Sequence, residues 1–202
     1  MDNGGIHISV EHLFKTYGQE IVLDDLSLEL TGSRIYCLMA PSGAGKTTLF
    51  RILMGLENPD SGTIRGLSGH NIAAVFQEDR LMEGYTAVQN LRFVTGRRYS
   101  SQELTSLLAR ILPADSLEKP VCEFSGGMKR RTAILRALLA PSDFVIMDEP
   151  FAGLDRETKL TVMELIKEYT KGKLLLLSTH SEEDASLLGG TLIRLNCRSK
   201  PL

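Results

Sequence analysis

One stretch constrains this chain more than any other. Ile35-Tyr36-Cys37-Leu38-Met39-Ala40 is a short apolar run, followed by Pro41-Ser42-Gly43-Ala44-Gly45 and then by Lys46 to Met54, a helical segment stopped by Gly55 and Pro59. An unbroken apolar run of this length is how a parallel strand reads when both its faces are covered. Glycines between such a strand and a helix let backbone N–H groups turn inward at the helix N-terminus, which makes a nest for phosphate oxygens. In Gly-Lys-Thr at this place, Lys46 reaches the β- and γ-phosphates and Thr47 coordinates magnesium. Thr48 falls near the α-phosphate. The phosphate loop is therefore read as Ala40, Pro41, Ser42, Gly43, Ala44, Gly45, Lys46, Thr47 and Thr48. Ala40 departs from the usual first glycine, and its methyl group is tolerable because later residues make the close approach. A glycine-rich turn that binds nothing is the competing reading, and the strand–helix setting argues against it.

The rest of the chain supplies the sheet such a loop needs. Ile6 to Phe14 and Ile21 to Leu30 read as strands around a turn at Gly18-Gln19-Glu20. Thr63 to Arg65, Ile72 to Phe76, Phe144 to Met147, Lys173 to Ser178 and Leu192 to Leu195 read as further strands. Leu104, Leu107, Leu108, Ile111 and Leu112 fall on one helical face, and Pro113 is expected to end that helix. A second helix follows Ser125-Gly126-Gly127, and a third carries Val162, Leu165, Ile166 and Tyr169. Strands alternating with helices imply an α/β fold with a mostly parallel sheet. From about Glu78 to Ile134 no strand pattern is present, so that segment reads as a helical subdomain inserted into the sheet. The expected organisation is one domain, 1–202, with core residues 1–77 and 135–202 and a helical subdomain at 78–134.

A second motif answers the first. Phe144 to Met147 ends in Asp148-Glu149-Pro150. Parallel sheets bind ligands at the carboxyl ends of their strands. Asp148 there can hold magnesium, and Glu149 can orient and polarise an attacking water.

Composition narrows the function classes. The 202 residues are 43% hydrophobic and 24% charged with a formal net charge of −2, so there is no global basic field of the kind nucleic-acid binders carry. Cys37, Cys122 and Cys197 are far apart, with no CxxC pair, which excludes a zinc site or disulfide framework and suits reduced thiols. The N-terminal residues, with Asp2, Glu11, His12 and Lys15, predict no signal peptide. The longest apolar stretches are too short to span a bilayer, so any membrane crossing falls to another chain.

Phe124-Ser125-Gly126-Gly127-Met128, placed shortly before the Asp148-Glu149 strand, resembles the signature motif of ABC transporter ATPases. The resemblance runs from Tyr17 to His180 and beyond. It implies a P-loop NTPase core of RecA-like type, an N-terminal antiparallel β subdomain and an inserted helical subdomain. It further implies that Gln77 touches magnesium and senses a permease, that His180 contacts the γ-phosphate, and that Tyr17 stacks on adenine. Ala152-Gly153-Leu154-Asp155 is similar to the loop that bridges protomers, with Asp155 at the nucleotide interface. Ser125, Gly126 and Gly127 would contact ATP held by the opposite protomer, so two chains sandwich two nucleotides head to tail. Phe76-Gln77-Glu78-Asp79-Arg80-Leu81, Thr86, Asn90 and Met128 resemble the nitrate, sulfonate and taurine importer group. The family often has proline where Asp79 and Glu83 stand, and Arg130 replaces a frequent glutamine. The chain stops soon after Leu195, which predicts no C-terminal regulatory domain.

The implied cofactors are ATP and Mg2+, with Lys46, Gln77, Glu149 and His180 catalytic and Thr47, Gln77 and Asp148 at the metal. The implied partners are a second copy or a homologous ATPase subunit, and an integral membrane permease with or without a solute-binding protein. The expected location is cytoplasmic, peripheral on the inner face of the membrane, with no nucleic acid. Two rival readings are an ABC ATPase acting on nucleic acid and a non-hydrolysing nucleotide switch. The short helical insertion and slightly negative charge argue against the first, and the presence of both Glu149 and His180 against the second.

Overall fold

The computed structural model describes residues 5–41 and 43–195, so Ser42 and Cys197 lie outside the described residues. Five strands form a parallel sheet in the order β5-β6-β7-β3-β8: β3 (Ile35–Met39), β5 (Ile72–Val75), β6 (Phe144–Met147), β7 (Leu174–Ser178) and β8 (Thr191–Arg194). Their side chains alternate between two apolar clusters. Cys37, Val145, Met147, Leu175 and Leu177 belong to one, and Tyr36, Leu38, Phe144, Ile146, Leu174 and Leu176 to the other. The inner strands β3, β6 and β7, covered on both faces, need no polar alternation, which is why they read as continuous apolar runs. Each fully buried leucine contributes roughly 1.5–3 kcal/mol of hydrophobic stabilisation. The Cys37 thiol is completely buried and desolvation pushes it up to about 11, so it is inert packing.

A second, antiparallel sheet holds β1 (His7–Tyr17) between β2 (Glu20–Thr31) and β4 (Ser61–Arg65). Ile8, Val10, Leu13, Leu23, Leu28 and Leu30 pack from it into the second cluster, beneath α1 (Lys46–Leu53). This sheet is the N-terminal antiparallel element the resemblance implies.

The other face is covered by α2 (Ala87–Thr95), α3 (Ser101–Ala109), α4 (Gly126–Leu139), α5 (Arg156–Tyr169) and α6 (Glu182–Leu188). Within 78–134 no strand occurs among the described residues; a single bridge joins Thr86 to Pro120. The helix α4 continues unbroken through position 134. Two helices, α2 and α6, were not among the sequence expectations. The first is announced by a capping box, in which Thr86 Oγ1 accepts from the Gln89 N–H and Gln89 Oε1 accepts from the Thr86 N–H. The expectation that α3 runs to Pro113 is corrected. It ends at Ala109, where the Ile111 N–H bonds the Leu108 carbonyl at 2.9 Å and tightens the last turn, leaving Ile111 and Leu112 to be buried in the loop beyond.

Candidate functional site

The candidate site is built where β3 and β6 end. The loop after β3 turns through Gly43 at φ +79° and Gly45 at φ +81°, left-handed conformations open to glycine at little cost. Gly45 is the N-cap of α1 and supplies no side chain to its first turn. There is also no acidic residue there, so the helix start carries uncompensated N–H dipoles suited to an anion. Ala44 and Thr48 are buried and Pro41, Gly43 and Thr47 are exposed, giving the loop a packed base and an open rim.

Gly45 is needed for a second reason. A Cβ built on it would lie 2.7 Å from both Leu23 Cδ2 and the Val22 carbonyl oxygen of β2. At Gly43 nothing stands within 4 Å. Gly43→Ala should cost only the left-handed strain, roughly 1–2 kcal/mol. Gly45→Ala should cost more and also push the loop off the sheet, lowering nucleotide affinity. Thermal unfolding and nucleotide titration of the two variants check this; equal losses would remove the packing role of Gly45.

Lys46 folds back over the loop. Its ammonium donates to the Ala40 carbonyl at 3.0 Å and the Pro41 carbonyl at 3.4 Å, and lies 3.8 Å from Glu149 Oε1. With the side chain 6% exposed, the charge is held inside the rim of the loop. Thr47, next along, donates from Oγ1 to Asp148 Oδ2 at 2.6 Å. The other Asp148 oxygen accepts from Ser178 Oγ at 2.7 Å, and Ser178 Oγ accepts from the Glu149 N–H at 2.8 Å. Glu149 in turn places Oε1 2.7 Å from His180 Nε2. A polar chain thus runs from the start of α1 across the ends of β6 and β7. Glu149 sits at φ +47°, a costly backbone for a side chain of its size, and its N–H bond to Ser178 holds it there.

Thr47 and Asp148 bring two hard oxygens side by side next to the glycine loop. That suits Mg2+, which takes one or two protein oxygens and completes its shell with water and substrate phosphates. Among the described residues there is no group of three or more His, Cys, Asp or Glu that could hold a metal alone.

The remaining candidates lie around this centre. Tyr17, at the end of β1, is 47% exposed; its hydroxyl hydrogen-bonds Glu57 and Lys15 Nζ lies 5.5 Å from its ring centroid. The bond to Glu57 raises the phenol and lowers the Glu57 carboxyl. Gln77 is exposed, just beyond β5, with its carbonyl accepting from Arg130 Nη2. Ser125 is exposed and caps α4, its Oγ accepting from the Met128 N–H at 3.3 Å, and Gly126 and Gly127 form the first turn. Among the described residues, no hydrogen bond or ion pair joins Gln77, Ser125, Gly126 or Gly127 to the glycine loop. Asp155 caps α5, accepting from the Thr158 N–H at 2.9 Å and Thr158 Oγ1 at 2.7 Å, bonds that hold its carboxyl below the usual range.

Three participants escaped the sequence reading. Ser178 ties Asp148 to Glu149, and its signal was the one hydroxyl at the end of an apolar strand. Asp184 accepts from Thr179 Oγ1 at 2.6 Å and pairs with Lys159 of α5, bracing the loop that carries His180. Arg130, known from the sequence only as an odd residue, reaches the carbonyls on either side of the Phe76–Gln77 bond.

The family profile described as "ABC transporter" matches residues 23–152, more than half of the chain. The Nod factor export ATP-binding protein I of Cupriavidus metallidurans is 35% identical over 199 residues, covering 90% of this chain and 65% of that protein. The chain therefore spans just under two thirds of the length of that relative. The taurine import ATP-binding protein TauB of Jannaschia sp. is 36% identical, covering 93% of this chain and 75% of that protein. A dimeric structure of the ATP-binding cassette MJ0796, in a post-hydrolysis state with ADP and Pi, superposes with a TM-score of 0.79 at 26% identity, over 93% of this chain and 94% of the other.

Proposed function

This chain belongs to the ABC transporter family, and from that premise we propose that it is an ATP-binding subunit that hydrolyses Mg-ATP in a head-to-tail dimer to drive solute import through a separate membrane permease. The observation that carries the proposal is the continuous polar chain from Lys46 and Thr47 through Asp148, Ser178 and Glu149 to His180. It sets a phosphate cradle, a pair of metal-binding oxygens and a carboxylate base within one another's reach.

In this reading the N–H groups of Gly43 to Thr48 and the Lys46 ammonium bind the phosphates, with Ala40, Pro41 and Ser42 completing the loop. Thr47, Asp148 and Gln77 would hold Mg2+, which when bound would supply positive charge beside the phosphates. Glu149 takes the proton of the attacking water, and His180, bonded to it, contacts the γ-phosphate. Tyr17 stacks on the base. Ser125, Gly126, Gly127 and Asp155 act across the dimer, a role supported by the exposed places of Ser125 and Asp155 at the starts of α4 and α5. Residues 78–134 make up the helical subdomain and 1–77 with 135–202 the core of one domain, 1–202, with α4 crossing the boundary between them.

No helix among the described residues is long and apolar enough to cross a membrane. The proposed place is peripheral on the inner face, held by the permease. The formal charge of −2 supports a reading without nucleic acid. The permease side is supported by an exposed apolar patch beyond Gln77: Met82 at 51%, Tyr85 at 43% and Phe93 at 58% exposure, with Tyr85 and Phe93 edge to face at 5.2 Å. Cysteine substitutions between Gln77 and Asn90 are expected to cross-link to a cytoplasmic helix of the permease. Cross-links confined to the opposite face, near β4 and β8, would contradict this assignment.

Export is the second reading, favoured by relatives named for Nod factor export. Import is favoured by the segment from Phe76 to Leu81 and by Met128. Solute uptake by cells carrying the chain and its permease, compared with a Glu149→Gln strain, separates the two directions.

A further inference from the structure

We infer that Arg130 is a positioning residue for Gln77, forming with Arg136 and Asp79 a clamp through which α4 sets the loop beyond β5. This rests on the ATPase reading above. The segment Phe76–Arg80 leaves the sheet at the end of β5. Two guanidinium groups hold its carbonyls. Arg130 donates from Nη1 to the Phe76 carbonyl at 2.6 Å and from Nη2 to the Gln77 carbonyl. One turn and a half further along α4, Arg136 donates to the Arg80 carbonyl at 2.9 Å and the Asp79 carbonyl at 3.3 Å. Four carbonyls in five residues are thus carried by one helix.

The planar fork of a guanidinium suits this task, because two donors in fixed geometry define an orientation where an ammonium defines only a point. Arg130 is buried, its side chain 9% exposed, and its charge is answered by Asp79, whose Oδ1 lies 3.3 Å from Nε. That contact lacks hydrogen-bond geometry, so it is an ion pair that neutralises charge without fixing an angle. Burial raises the Asp79 carboxyl, with Arg130, Lys129 and Arg136 opposing the rise. The loop is stiffened from outside as well. Arg80, at φ +47°, stacks its guanidinium 3.7 Å from the Phe76 ring centroid, and Lys129 pairs with Glu83 at 2.9 Å.

The consequence is mechanical. The first turn of α4 is Ser125-Gly126-Gly127, and Arg130 follows it directly on the same rigid helix. The turn that would meet the partner's nucleotide and the residue that would meet this chain's own metal are thereby linked through one buried side chain. A rotation of α4 when the signature turn engages ATP displaces Gln77 by way of the clamp, and a displaced Gln77 pulls on α4.

The test uses the purified chain with Arg130→Gln, Arg130→Lys, Asp79→Asn and Arg136→Gln. Nucleotide affinity is titrated with and without Mg2+, together with steady-state turnover and thermal midpoint. For Arg130→Gln, affinity without Mg2+ should stay within about twofold of the parent, since the glycine loop is untouched. The Mg2+-dependent gain in affinity should fall about tenfold, and kcat by roughly ten- to a hundredfold, the scale on which misplaced groups act. Arg130→Lys, keeping the charge without the fork, should recover only part, and Asp79→Asn should fall between. If Arg130→Gln does not fold, Arg136→Gln, half-buried at the other end of the clamp, reads the same quantities. A lower thermal midpoint with unchanged Mg2+ gain and unchanged kcat would make Arg130 purely structural and overturn the clamp alone. A parent chain without Mg2+-dependent turnover would overturn the ATPase reading and the clamp with it.

Discussion

Lys46→Ala is expected to abolish tight ATP binding. The ammonium lies inside the rim of the glycine loop, bonded at 3.0 and 3.4 Å to the carbonyls of Ala40 and Pro41. These are neutral acceptors at the mouth of the site, and phosphate oxygens compete with them effectively because they carry charge. A hydrogen bond to a charged group contributes roughly 1.5–3 kcal/mol, so losing one to each of two phosphates predicts an affinity loss of about 10²–10⁴-fold. The fold should survive. Lys46 adds nothing to either apolar cluster, and the loop conformation is set by Gly43 and Gly45 and by the anchoring of α1 through Leu49, Phe50, Ile52 and Leu53. A nucleotide titration with a circular-dichroism control checks the prediction. Unchanged affinity in a folded variant would sink the phosphate-loop assignment.

What the sequence disclosed about this site follows from how local its parts are. The glycine loop and Lys46 to Thr48 were legible because every residue of the cradle lies in one stretch, between a strand and a helix whose patterns are strong. Asp148 and Glu149 were legible because strand β6 is apolar to its last residue and then carries two acids. The sheet was readable to within a residue or two for the same reason: strands buried on both faces advertise themselves as apolar runs. The helices α2 and α6 were not readable by periodicity. The buried apolar residues of α2 are only Ala87 and Leu91 and those of α6 only Ala185 and Leu188, too few to show a stripe, and each helix relies on packing for stability. The capping box at Thr86 to Gln89 was a usable signal that a period-based reading passes over.

The positioning residues form the other class. Ser178 and Arg130 act on groups far away in the chain, and Asp184 joins the nearby Thr179 to Lys159, 25 positions off. Arg130 meets Phe76 across 54 positions and Ser178 meets Asp148 across 30. No local pattern announces such a pairing. In isolation Asp79 and Arg130 were two unrelated departures, each puzzling alone: an acid and a base at half-buried and buried positions. The structure sets them 3.3 Å apart, so each is the reason the other is affordable in a low-dielectric place, since removing either leaves an unpaired buried charge. The same holds for Glu83 and Lys129, at 2.9 Å, though that pair is more exposed and contributes less.

Glu149→Gln is expected to trap an ATP-bound dimer. Glutamine keeps the shape of the side chain and its Oε1, so the contact with His180, now 2.7 Å, can be retained. The left-handed backbone at Glu149 is held by Ser178 through the main-chain N–H, which the substitution leaves in place. What is lost is the capacity to accept a proton from the attacking water. Hydrolysis should slow by about 10²–10⁴-fold, the typical effect of losing a general base. Binding should persist, because in the proposed reading Lys46, Thr47 and Asp148 would hold the phosphates and the metal without Glu149. The proposed dimer would depend on the γ-phosphate, met by Ser125 and Gly127 of the opposite chain. Preserving that ligand shifts the population toward the dimer by its preferential binding to that state. Size-exclusion chromatography of the variant with Mg-ATP should show the dimer, and with ADP the monomer, with protein concentration varied so that weak association is detected. A monomer at saturating ATP at every concentration would contradict the sandwich. Near-normal turnover by the variant would instead remove Glu149 as the base, and the contact between Glu149 and His180 would then need another purpose.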